Sequence, residues 1–150
     1  PAEVVLLDVP GAEGNVKLTD FGACRLFDCG EAASSASASL RVAGDSHLSP
    51  ERLHSAATDG RADIYGVASI LFEALTGQLA YMPVSEDSTG IRSRLALRWA
   101  RPSPQSLLEA NPELEGATAL DALLKQALSA DPADRPDSAS AFRAALRAAR

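Results

Sequence analysis

Between Thr58 and Gly77 the chain carries Ile64, Tyr65, Val67, Ala68, Ile70, Leu71, Phe72, Ala74 and Leu75, which cover nearly every face of a helix. A helix that is apolar all round has no solvent side, so the rest of the fold must be built around it. The pair Thr58-Asp59 supplies an N-cap, and Gly77 stops the helix after Thr76. Such a segment is a buried central helix, and it needs cover from other elements. Residues 1–150 on their own are therefore expected to be only marginally stable.

The remaining pattern divides around this helix. Val4 to Val9 is a β-branched and Leu-rich run, broken by Pro10-Gly11 and resumed as Val16-Lys17-Leu18-Thr19. Two apolar runs separated by a Pro/Gly turn predict a β-hairpin with a loop from Pro10 to Asn15. Glu31 to Ser39 is almost pure Ala and Ser and defines no face to pack, which predicts a mobile surface loop. Further helices are expected over Ile91–Ala100, Ala117–Ser129 and Ser138–Ala149. A Pro102/Pro104 break and a turn from Asp131-Pro132 to Pro136 separate them. The fold class that follows is mainly α with a small β-hairpin, with no internal repeat.

Composition removes several functions. A net charge of −6 opposes binding to nucleic acid or an anionic membrane. Arg92, Arg94, Arg98 and Arg101 are read as the solvated face of one helix. Cys24 and Cys29 have no histidine at metal-ligand spacing, since His47 and His54 lie far along the chain. Cys24 is read as a small packing residue. With no disulfide framework and no membrane-length apolar run, a cytoplasmic, intracellular location is expected.

The chemistry-bearing residues come in four groups. Asn15-Val16-Lys17-Leu18-Thr19-Asp20-Phe21-Gly22 puts a carboxylate, an aromatic and a glycine at the end of the second strand. A carboxylate there can hold Mg²⁺ against nucleotide phosphates, while the glycine allows a sharp turn. Ser49-Pro50-Glu51-Arg52-Leu53 follows, then Asp63-Ile64-Tyr65-Gly66-Val67 at the head of the apolar helix, then Ala130-Asp131-Pro132-Ala133-Asp134-Arg135-Pro136. In this order they resemble the Asp-Phe-Gly, Ala-Pro-Glu, central-helix and last-turn motifs of eukaryotic-type protein kinases of the Ser/Thr class. The resemblance spans Val4 to Leu146.

What the resemblance implies is specific. The chain would be a partial kinase domain, with a hairpin over 1–19, an activation segment over 20–51 and a helical subdomain over 52–150. It would lack the small lobe and the first helices of the large lobe. Asp20 would be the Mg²⁺ ligand in an ATP site, with Phe21 and Gly22 setting its position. Glu51 and Arg135 would form a buried ion pair, and Asp63 would brace the catalytic loop. Ser34, Ser35, Ser37 and Ser39 would be candidate phosphosites for an upstream activating kinase, with Arg25 and Arg41 as local partners for a phosphate. The general base would lie upstream of Pro1, so no catalytic residue is expected within the chain, and a protein would be the substrate. The fragment itself is expected to be inactive.

Four places depart from the family pattern. The second metal ligand, an Asn in the family, aligns with Val4 or, after a one-residue shift, with Glu3. The Gly-Thr pair ahead of the Ser-Pro-Glu region aligns with Ala43-Gly44, and His47 stands where many relatives carry an aromatic. Ala68 replaces a common Gly. These departures imply the alternative of a pseudokinase, a scaffold that binds protein partners without catalysis.

Overall fold

The computed structural model describes residues 3–7, 15–19, 47–53, 57–81, 103–114 and 116–149, with side chains for all but the first two segments. The chain divides into two compact units, Pro1–Gly44 and Asp45–Arg150. The segments predicted as an Ala/Ser loop over 31–39 and as a helix over 91–100 lie outside the described residues.

In the first unit, β1 (Glu3–Leu7) pairs antiparallel with β2 (Asn15–Thr19). The register sets Val4 opposite Leu18 and Leu6 opposite Val16. Asp8 and Val9, expected to continue the first strand, lie outside the described residues.

In the second unit, α1 (Pro50–Leu53) is a single turn that precedes the long helix α2 (Arg61–Thr76). Asp59 Oδ1 accepts a hydrogen bond from the Arg61 amide at 2.8 Å and so satisfies one of the open donors of the first turn. At the other end Gly77 adopts φ 69°, and its N–H reaches the Glu73 carbonyl at 2.7 Å. That left-handed closure suits a glycine because it has no Cβ to clash. Asn111 Nδ2 adds a hydrogen bond to the Leu75 carbonyl at 2.8 Å.

Three further helices pack on α2. They are α3 (Leu107–Ala110), α4 (Thr118–Ala127) and α5 (Ala139–Ala148). Their shared core joins Ile64, Tyr65, Ala68 and Phe72 of α2 to Leu107, Leu124, Ala127 and Phe142. Each fully buried Leu or Phe there contributes roughly 1.5–3 kcal/mol of transfer free energy. The last helix starts where Ser138 Oγ accepts from the Ala141 amide at 3.1 Å.

Two expectations change. The helix α2 is not buried on every face within this chain, because Val67 is 48% exposed and Asp63 and Ala74 are also exposed. The cover that α3, α4 and α5 provide is one-sided. The helix α3 lies just after the Pro102/Pro104 break, where no helix is expected from the sequence. Its amide end is held by a residue distant in sequence, Asp121.

Candidate functional site

The site is built on α1, the start of α2 and the turn after α4. Glu51 lies in the only turn of α1, and Arg135 closes the 3₁₀ turn Pro132–Asp134. That turn forms because Asp131 caps it, its Oδ1 accepting from the Ala133 amide at 2.8 Å, with Pro132 pre-set at the first position.

Arg135 is 2% exposed, an unusual place for a guanidinium. It donates from Nη1 to Glu51 Oε1 at 2.7 Å and from Nη2 to Glu51 Oε2 at 2.9 Å. Backbone carbonyls take the rest: Ser129 from Nε at 2.8 Å, Arg61 from Nη1 at 3.2 Å and Ala130 from Nη2 at 3.3 Å. A guanidinium has five N–H donors, and these five bonds use all of them. The planar cation also sits over the Tyr65 ring, 4.9 Å from its centroid.

This arrangement explains why a charge can be buried there. Burial pushes the Glu51 carboxyl up, but the hydrogen bonds and charge of Arg135 outweigh it and hold the carboxyl below its ordinary value. The two-pronged geometry fixes orientation as well as distance. Chemically the pair is an anchor: it joins the Ser-Pro-Glu turn to the head of α2 and to the turn before α5. Arg61 extends the same junction, reaching the Pro132 carbonyl at 3.2 Å and Asp137 Oδ1 at 3.0 Å.

Asp63 lies in the first turn of α2 with its side chain exposed. The positive end of the helix dipole favours a carboxylate there. Asp20, Phe21 and Gly22 lie outside the described residues, and so do Ser34, Ser35, Ser37 and Ser39, Arg25 and Arg41, and both cysteines. Among the described residues no group of three or more His, Cys, Asp or Glu is placed to hold a metal ion. The metal reading rests on Asp20 alone. Among them, too, no helix is long and apolar enough to cross a membrane.

One buried charge had not been singled out in the sequence. Asp121, 8% exposed, accepts from the Leu107 amide at 2.7 Å, from Ser106 Oγ at 3.1 Å and from Lys125 Nζ at 2.7 Å. Burial raises its pKa, but these donors outweigh burial and lower it overall. Its one local signal is Lys125, four residues on in the same helix. The other two donors come from a different element.

Comparison with known proteins follows the same lines. A model of the protein kinase domain matches residues 3–146. Serine/threonine-protein kinase pkn3 of Myxococcus xanthus is 32% identical over 134 residues, covering 89% of this chain and 23% of that protein. Serine/threonine-protein kinase PknB of Mycobacterium tuberculosis is 31% identical over 148 residues, covering 97% of this chain and 21% of that protein. The chain thus spans about a quarter or less of these relatives. A crystal structure of a mutant Mycobacterium tuberculosis PknI kinase domain superposes with a TM-score of 0.59 at 27% identity, over 97% of this chain and 42% of that one.

Proposed function

The chain belongs to the protein kinase family, and from that premise we propose that it forms the activation segment and helical part of a Ser/Thr protein kinase. The reaction is transfer of the ATP γ-phosphate to a protein Ser or Thr hydroxyl. The observation that carries the reading is the buried, two-pronged Glu51–Arg135 pair. It ties the end of the activation segment to the helical core, and phosphoryl transfer in this class depends mostly on positioning and charge neutralisation.

In this reading Asp20 is the carboxylate that holds Mg²⁺, and Phe21 and Gly22 orient it. Bound Mg²⁺ supplies neutralisation of the phosphate charge. Asp63 braces the catalytic loop by accepting from its backbone amides. Glu51 and Arg135 keep the substrate-facing segment in one position while the acceptor hydroxyl is presented. Ser34, Ser35, Ser37 and Ser39 are acceptor sites for an activating kinase, and a phosphate there would pair with Arg25 or Arg41.

A second reading is supported by the residues at the second metal position. Valine at position 4 cannot bind Mg²⁺, and glutamate at position 3 would bring an extra negative charge. On this reading the parent protein is a pseudokinase that keeps the helical core as a scaffold.

The experiment that separates them uses the full-length protein with Mg²⁺-ATP and a generic acceptor protein. An active kinase transfers phosphate, and Asp20→Asn lowers that rate by at least about a hundredfold, as expected for loss of a group acting on transition-state charge. No transfer by the wild type, together with nucleotide affinity unchanged by Asp20→Asn, would leave the scaffold reading.

A further inference from the structure

The residues that lead into α1 are fastened to α2 by one imidazole. His47 Nδ1 lies 2.9 Å from Ser69 Oγ, and His47 Nε2 lies 3.2 Å from Glu73 Oε2. Ser69 and Glu73 are four residues apart in α2, so the ring spans one turn of that helix along a single face. Ser69 is buried at 2% exposure, whereas the Glu73 and His47 side chains are 45% and 27% exposed. One end of the contact is dry and neutral, and the other is charged and wet. The backbone of the segment also rests on α2, with the His47 carbonyl oxygen 3.6 Å from where a Cβ on Gly66 would stand.

We propose that His47 is a proton-dependent fastener that holds the residues preceding Ser49-Pro50-Glu51 against α2 more firmly as imidazolium than as imidazole. A neutral ring has a single N–H. It can donate to Glu73 and accept from the Ser69 hydroxyl, giving two uncharged-donor contacts. Protonation makes both nitrogens donors, to the Ser69 oxygen and to the Glu73 carboxylate, and the second contact becomes an ion pair. Free imidazole changes protonation at about 6.5, so the comparison is made at pH values on either side of it. Among the described residues, the charged group that α2 brings to the ring is Glu73. On α1, the next element along the chain, Glu51 is committed to Arg135 and Arg52 is the remaining charge. Lowering the pH thus tightens this segment, and raising it loosens the segment.

The test reads the segment directly and needs no kinase activity, so it stands apart from the functional proposal. In the full-length protein, hydrogen-exchange protection of the amides in residues 47–53 is measured at about pH 5.5 and about pH 8, corrected for intrinsic rates. Wild type, His47→Gln, Glu73→Gln and the double variant form a cycle. The expected coupling is about three- to fivefold in protection at the lower pH and below about 1.5-fold at the higher, as for a half-exposed ion pair, and it shrinks in high salt. Ser69→Ala, which leaves the Glu73 contact in place, should keep protection higher at the lower pH than at the higher. A His47–Glu73 coupling equal at the two pH values would overturn the proposal, as would a pH dependence that survives in the double variant.

Discussion

At Arg135 the balance between burial and pairing is decided by counting donors. A buried guanidinium with one unmet N–H would cost more than a surface one, but here every donor has a carboxylate or carbonyl oxygen. The corollary is that the losses of the two partners are not additive. Glu51→Ala or Arg135→Ala alone should each cost about 3–5 kcal/mol, because the remaining charge is left unpaired in the interior. The double variant should cost clearly less than the sum, as urea unfolding of the four proteins at neutral pH will show. Glu51 and Asp121 both have folded-state pKa values below their ordinary values of 4.5 and 3.8. Each therefore contributes stability above its unfolded pKa and loses it as the pH falls through the folded one. The same unfolding series repeated toward pH 3 should weaken the wild type more than the double variant.

At the scale of elements, the helix ends are specified by side chains and φ angles more than by propensity. The helix α2 stops at Gly77, whose own N–H makes the last bond to the Glu73 carbonyl and whose positive φ then turns the chain out of the helix. An ideal Cβ at Gly77 would meet nothing within 4 Å. Gly77→Ala is thus a test of backbone strain alone, and it should lower stability by about 1–2 kcal/mol in thermal unfolding. The short helix α3 shows a different solution. Ser106 and Glu109 have the spacing of a capping box, and Ser106 is the N-cap residue, yet its hydroxyl donates to Asp121 while Asp121 receives the Leu107 amide. A carboxylate from α4 does the capping. This explains why α3 was invisible to a reading that looked for apolar periodicity: four residues hold too little pattern, and the deciding contact comes from 14 positions away.

Among the described residues of the second unit, α2 is the axis on which α3, α4 and α5 converge, and its exposed Val67 marks a side that these three helices leave uncovered. We predict that residues 1–150 expressed alone are marginal, because an all-round apolar helix needs cover on every side. Their melt should be broad and of low midpoint when followed by circular dichroism. A sharp, cooperative transition of a monomer would contradict it.

The family membership, the hairpin strands and the spans of α2, α4 and α5 were legible in the residues themselves. Each rests on short-range rules that a linear pattern can carry: a β-branched and Leu-rich run for β1, alternation for β2, helical spacing for α5, a glycine after Thr76, a serine before Ala139. That Glu51 and Arg135 belong together came only through resemblance, since nothing local links two residues 84 positions apart. The tertiary structure alone decided how Arg135 can be buried, which face of α2 is covered, that Asp121 caps α3, and that His47 meets Ser69 and Glu73. In each case the deciding quantity is a donor, an acceptor or a neighbouring surface supplied by a distant part of the chain, and solvation of a side chain depends on what the fold brings against it.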